Sequence, residues 1–75
     1  MSQRPSVSGR EAIRAFAKFG FVEVRVRGSH RVLRKDGHPA ILTIPVHAGR
    51  DIKRGLLRSQ IRIAGLTEDE FYDAL

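Results

Sequence analysis

The chain has no cysteine and no tryptophan, a single methionine and a single tyrosine, and only three prolines in 75 residues. Without cysteine there are no disulfides and no thiolate metal sites, which is compatible with a reducing, cytoplasmic setting. Long apolar runs are also missing. No segment reads as a transmembrane span or a signal-peptide core, so a membrane partner is not expected. There is no GxGxxG, Walker loop, HExxH or GxSxG, and the seven glycines are scattered at turns. Nucleotide cofactors and elbow-type serine hydrolysis are therefore not expected. Acidic residues are sparse outside the last eight positions, which hold four of the eight.

What is present is positive charge. Lys and Arg number 14, the formal net charge is +6 and the isoelectric point is about 11.1. All 14 lie in residues 1–65 against only four acids, and arginine far outnumbers lysine. A domain this basic attracts polyanions, and the planar guanidinium fork suits phosphate. Hydrophobic content of 41% supports a core. At 75 residues the chain reads as one domain with a thin two-layer core and no room for a deep cofactor cavity. An active site would therefore lie on the surface.

Periodicity and turn chemistry give the order of elements. Residues 1–7 (MSQRPSV) read as a loose lead-in, with the domain proper following residues 1–6. Ser8 and Glu11 stand at capping-box spacing, and a helix fits 9–19 with Gly20 as its stop. Ile13, Phe16 and Ala17 form its apolar face; Arg10, Arg14 and Lys18 form another. Residues 21–27 alternate, with Val22, Val24 and Val26 on one side and Glu23, Arg25 and Arg27 on the other, as in a half-buried strand. Gly28-Ser29 turns into a strand over 30–35. Asp36-Gly37 is a hairpin signal, and 40–46 is a third strand that ends near Pro45.

A second long helix fits 52–64, with Leu56, Leu57, Ile61, Ile63 and Ala64 on one arc and Arg54, Arg58 and Arg62 in a stripe off it. Gly55 leaves its start ill defined. Thr67 and Glu70 cap a short helix over 68–74, which packs Phe71. The order α-β-β-β-α plus a terminal helical turn predicts an α+β sandwich, a three-stranded antiparallel sheet with helices on one face. The other sheet face has no partner within the chain.

Among candidate sites, the three histidines offer little as a metal centre. His38 falls at a hairpin tip away from His30, where it reads as a solvated turn residue, and no carboxylate is suitably spaced. No metal and no cofactor is expected. Ser29 and His30 are sequence neighbours, but adjacent strand positions point to opposite faces. Ser29 fits the turn, or bonds a phosphate oxygen. The arginine stripe 54, 58, 62 fits either nucleic-acid contact or a solvated helix face.

His30 in RGSHR (27–31) is the most suggestive residue. Arg25, Arg27, Arg31 and Arg34 surround it in sequence and favour a neutral imidazole. A neutral imidazole beside phosphate-binding arginines suits RNA cleavage: the base takes the 2′-hydroxyl proton, and the arginines stabilise charge on the phosphoryl oxygens. No metal is required. A single histidine at a strand start is also compatible with a purely structural role.

The stretches VSGREAIRAFAKFGF (7–21), RGSH (27–30), IPVHAGRDI (44–52) and LLRSQIRIAGLTEDEF (56–71) resemble the HicA (YcfA-like) family, small toxins of bacterial and archaeal toxin–antitoxin pairs. The resemblance implies a double-stranded-RNA-binding-domain-like fold and a translation-independent mRNA interferase, an endoribonuclease that arrests growth. It implies His30 as the catalytic residue, single-stranded mRNA as substrate and a HicB-type antitoxin as partner. His47 matches the family's P-x-H, either as a second acid/base group or as a turn residue bonding backbone. Arg27, Arg31 and Arg34, with Arg25, Ser29, Arg54 and Arg58, are the expected RNA contacts. Lys53-Arg54-Gly55 departs from the Lys-Pro-Gly of many relatives, which loosens the helix start. The alternative is a non-catalytic RNA-binding module of the same fold; a DNA-binding regulator fits less well.

Overall fold

The computed structural model describes residues 4–75. Its elements run α1 (Gly9–Ala17), β1 (Val22–Arg27), β2 (His30–Arg34), β3 (Leu42–Pro45), α2 (Arg54–Ile63) and α3 (Glu68–Asp73). The strands form one antiparallel sheet in the order β1-β2-β3. Helices α1 and α2 pack on β3, and α3 packs on both of them. This is the expected α+β arrangement, α-β-β-β-α with a short last helix.

Local chemistry accounts for most of these boundaries. Ser8 Oγ accepts the Glu11 N–H at 3.2 Å, and the Glu11 carboxylate accepts the Ser8 N–H at 2.9 Å. Thr67 and Glu70 repeat this exchange at the start of α3. Two otherwise orphaned donors are satisfied at each start. Helix α2 lacks such help: its N-cap is Lys53, which offers no acceptor. It begins at Arg54, two residues later than the periodicity predicts. Gly9 opens α1 where the helix lies on the end of β3. A Cβ there would collide with the Pro45 carbonyl oxygen and approach Val46 Cγ2 to 2.9 Å.

The core lies between the sheet and the helices. Leu33, Leu42 and Ile44 have no exposed surface, and they meet Ala12, Ala15 and Phe16 of α1, Leu57 and Ile61 of α2 and Phe71 of α3 in one cluster. Burying each large aliphatic contributes about 1.5–3 kcal/mol. The rings of Phe16 and Phe71 centre 4.8 Å apart, and Phe21 meets Phe16 edge-on at 6.1 Å.

Four details differ from expectation. Val7, read as part of the lead-in, is buried, and its carbonyl accepts the Ile52 N–H at 2.7 Å. Arg4 pairs with Asp69 and lies over the Tyr72 ring; residues 1–3 of the lead-in lie outside the described residues. On α1, Ala12 and Ala15 are buried beside Phe16 while Ala17 is exposed. On α2 the buried positions are Leu57, Gln60, Ile61 and Ala64, whereas Leu56 and Ile63 are exposed. The spacing 57, 60, 61, 64 is a helical core stripe, and a glutamine occupies one of its places.

The fourth difference is in β1. The pairing shifts between Glu23 and Arg25, leaving Val24 as an extra residue opposite the Leu33–Val32 step of β2. A bulge of this kind inverts the facing of everything beyond it. Glu23 therefore shares a face with Leu33, while Arg25 and Arg27 share the opposite face with Val32 and His30. As the outer strand, β1 is exposed along its whole length, not half-buried.

Candidate functional site

The face of the sheet turned away from the helices carries a shallow groove of about 740 Å³, lined by Val24, Arg25, Arg27, His30, Val32, Arg34, Ile41 and Thr43. Its position follows from alternation. Leu33 points into the core, so its neighbours Val32 and Arg34 point outward, and His30 shares their side. On β3, Leu42 and Ile44 are buried and Thr43 faces the groove. The bulge at Val24 brings Arg25 and Arg27 to the same side.

Backbone geometry holds His30 at the corner of this face. Gly28 has φ +59°, and Ser29 is not among the positive-φ residues, so only the first turn position is left-handed. That is the pattern of a type II′ hairpin turn. His30 pairs directly with Arg27 on one side and with Pro45 on the other. Directly opposed side chains have Cβ atoms about 5 Å apart, which sets the Arg27 guanidinium within reach of anything bound to the imidazole. The Ser29 carbonyl accepts the Val46 N–H at 2.7 Å and extends the ladder past His30. His30 is exposed, and among the described residues no side chain hydrogen-bonds to its ring.

The groove contains three arginines and no carboxylate. Nor does it contain a phenylalanine or tyrosine ring: Phe16, Phe21 and Phe71 are all in the core. Valine, isoleucine and threonine form its floor. Such a surface attracts a phosphate chain and leaves little for base stacking. Among the described residues, no three His, Cys, Asp or Glu side chains converge as a metal site.

Of the residues expected to form the site, the structure brings together His30, Arg25, Arg27 and Arg34. Ser29 forms the turn beside them. Arg31 lies on the other face, where its Nη1 donates to Glu23 Oε2 at 3.3 Å. His47 follows β3 in a loop and lines a separate hollow with Arg31. Arg54 and Arg58 belong to the helical layer. Arg54 donates to the Arg4 carbonyl at 2.7 Å, and Arg58 lies 3.5 Å from the Glu68 carboxylate.

His38 is not a solvated turn residue. Its Nε2 lies 2.8 Å from the Ile63 carbonyl oxygen at the end of α2, and its ring meets Phe21 edge-on at 5.3 Å. It ties the β2–β3 connection to the Ile63 carbonyl, a last-turn acceptor without an intrahelical partner. Sequence spacing also missed Gln60, whose Oε1 accepts the Thr43 N–H at 2.9 Å. The pairing of Arg31 with Ile44 and of Val32 with Thr43 turns the Thr43 N–H away from β2. The next outward position is Pro45, which has no N–H. Gln60 and Pro45 thus remove two donors that an edge strand would otherwise expose.

A family model described as the HicA toxin of bacterial toxin–antitoxin systems matches residues 9–66 of the 75. The chain belongs to this family. The match runs from the first residue of α1 to just past α2 and includes the whole open sheet face. No curated protein matches the chain. As a HicA-family member it is the toxin of a toxin–antitoxin pair, and a cognate antitoxin is its implied partner. Among the described residues, no helix is long and apolar enough to cross a membrane.

Proposed function

We propose that this toxin is a metal-independent endoribonuclease that cleaves single-stranded mRNA on the open face of its sheet. One observation carries the reading: an exposed imidazole, His30, in a carboxylate-free groove directly opposite Arg27 and beside Arg25 and Arg34. In the proposed step His30 removes the proton of a ribose 2′-hydroxyl. The 2′-oxygen attacks the adjacent phosphorus, the P–O5′ bond breaks and a 2′,3′-cyclic phosphate forms. The departing 5′-oxygen takes a proton from water. Arg27, with Arg25 and Arg34, stabilises the charge that gathers on the phosphoryl oxygens. The step as proposed does not use His47, which lines the neighbouring hollow with Arg31.

A HicB-type antitoxin fits the same surface. An acidic partner covering the groove would bury Arg25, Arg27 and His30 together and so exclude RNA.

Among the described residues no hydrogen bond orients the His30 ring, which favours a second reading, an RNA-binding module without catalysis. One assay separates the two. The protein and its His30→Ala variant are incubated with a long unstructured RNA in EDTA and run on a denaturing gel. Cleavage by the parent alone supports the ribonuclease. Intact RNA with both, together with a clear gel shift, supports the binding module. Equal cleavage by both would sink the role given to His30.

A further inference from the structure

The open face uses three arginines and leaves another set unaccounted for. Arg31 follows His30 in β2 but points to the helix side. There it lines a hollow of about 600 Å³ with Ser8 and Arg10 at the start of α1, Val46 at the end of β3, and the loop from His47 to Asp51. Arg10, Arg31 and Val46 also line an adjoining depression that adds Arg14 and Glu23. Arg10, Arg14, Arg31 and Arg50 therefore form one continuous strip with His47 at its end.

The strip is short of counter-charge. Glu23 engages one Arg31 nitrogen, Asp51 lines the hollow, and the Glu11 carboxylate is occupied by the Ser8 N–H. Among the described residues Arg10, Arg14 and Arg50 make no ion pair. Arg31 Nε is out of contact with solvent and has no acceptor. A buried guanidinium N–H without an acceptor is unfavourable; the part of the Arg31 side chain that stays exposed, 28%, is what an anion in the hollow would meet.

The hollow and the His30 groove are the two sides of one corner. His30 opposes Pro45 on the open side, and the next residue of each strand, Arg31 and Val46, lines the hollow on the other. We propose that the strip is a second phosphate-binding site, and that an RNA strand leaving the His30 groove passes over the Pro45 end of the sheet to place a backbone phosphate among Arg10, Arg31, Arg50 and His47. This rests on RNA being the ligand of the open face. It assigns Arg31 and His47 to holding the substrate.

The test measures binding, so it does not depend on cleavage. Labelled single-stranded RNA is titrated against His30→Ala protein at several salt concentrations, with and without Arg10→Ala or Arg50→Ala. Both side chains are exposed, and circular dichroism checks that each variant folds. Arg62→Ala on α2 removes the same charge away from the strip. Each strip variant is expected to bind more weakly, with the slope of log K against log salt shallower by about 0.7, while Arg62→Ala leaves the slope unchanged. Unchanged slopes for Arg10→Ala and Arg50→Ala would overturn the second site, as would an equal change in all three variants. A parent that fails to cleave RNA but shows the expected slopes would sink the catalytic reading and leave this one standing.

Discussion

The two faces of the sheet share one backbone and differ in almost everything else. On the covered face Leu33, Leu42 and Ile44 are wholly buried under three helices. On the open face, one residue away along the same strands, stand His30, Val32, Arg34 and Thr43, joined by Arg25 and Arg27. The covered face holds the fold together, and at its margin the charges are partly paired, as in Arg31 with Glu23. The open face adds little to the core and keeps its cations without carboxylate partners. In 75 residues only one buried layer fits, so the cations on the side the helices leave bare stay exposed.

The largest effect should come from removing chemistry without touching packing. His30→Ala is expected to lower the cleavage rate about 10²–10⁴-fold, with a thermal midpoint close to that of the parent because the residue is exposed. Matched kinetics and melting would check both. Leu33→Ala is the converse. It should cost about 2–5 kcal/mol in denaturant unfolding, and a loss that large in so small a domain would reduce activity only through unfolding. A Leu33→Ala protein as stable as the parent would contradict the division between the faces.

Gln60→Leu probes the boundary between them. It keeps the position buried and makes it apolar but leaves the Thr43 N–H without its acceptor, at an expected cost of about 1–3 kcal/mol. Faster hydrogen exchange at the Thr43 amide is the specific readout. Ser8→Ala should cost about 1 kcal/mol by removing one half of the α1 capping box.

The smallest effect is a pH dependence. The Ser8 backbone N–H, then the Ser8 side chain, hold the Glu11 carboxyl below its ordinary value of 4.5. Its folded value lies below its unfolded one, so its contribution is complete above 4.5 and is lost as pH falls through the lower, folded value. Glu11→Gln should flatten that part of the melting profile and leave the rest unchanged.

Much of this was legible along the chain. The capping boxes at Ser8 and Thr67, the turn at Gly28-Ser29 and the strand that follows it depend on residues a few positions apart, and each formed as read. Grouping Arg31 with His30 was avoidable, since neighbouring strand residues face opposite ways. Gln60 was also within reach, because it stands between Leu57 and Ile61 in a core stripe. The bulge at Val24 was not. Val-Glu-Val-Arg-Val-Arg is a regular alternation, and only pairing with β2 shows that one residue is extra. His38 was equally hidden, because its partner at Ile63 lies 25 positions away.

Sequence by itself determined the element order, the helix starts with acceptor caps, the cationic character and, through its family motifs, the place of His30. These follow from short-range hydrogen bonding, periodicity and composition. The tertiary structure decided which cations stand together. It turned Arg25 and Arg27 toward His30 through a bulge, sent Arg31 and His47 to the other side of the corner, and engaged Arg54 and Arg58 within the helical layer. Those outcomes depend on strand register and on where the helices dock, and both are set by contacts between residues far apart in the chain.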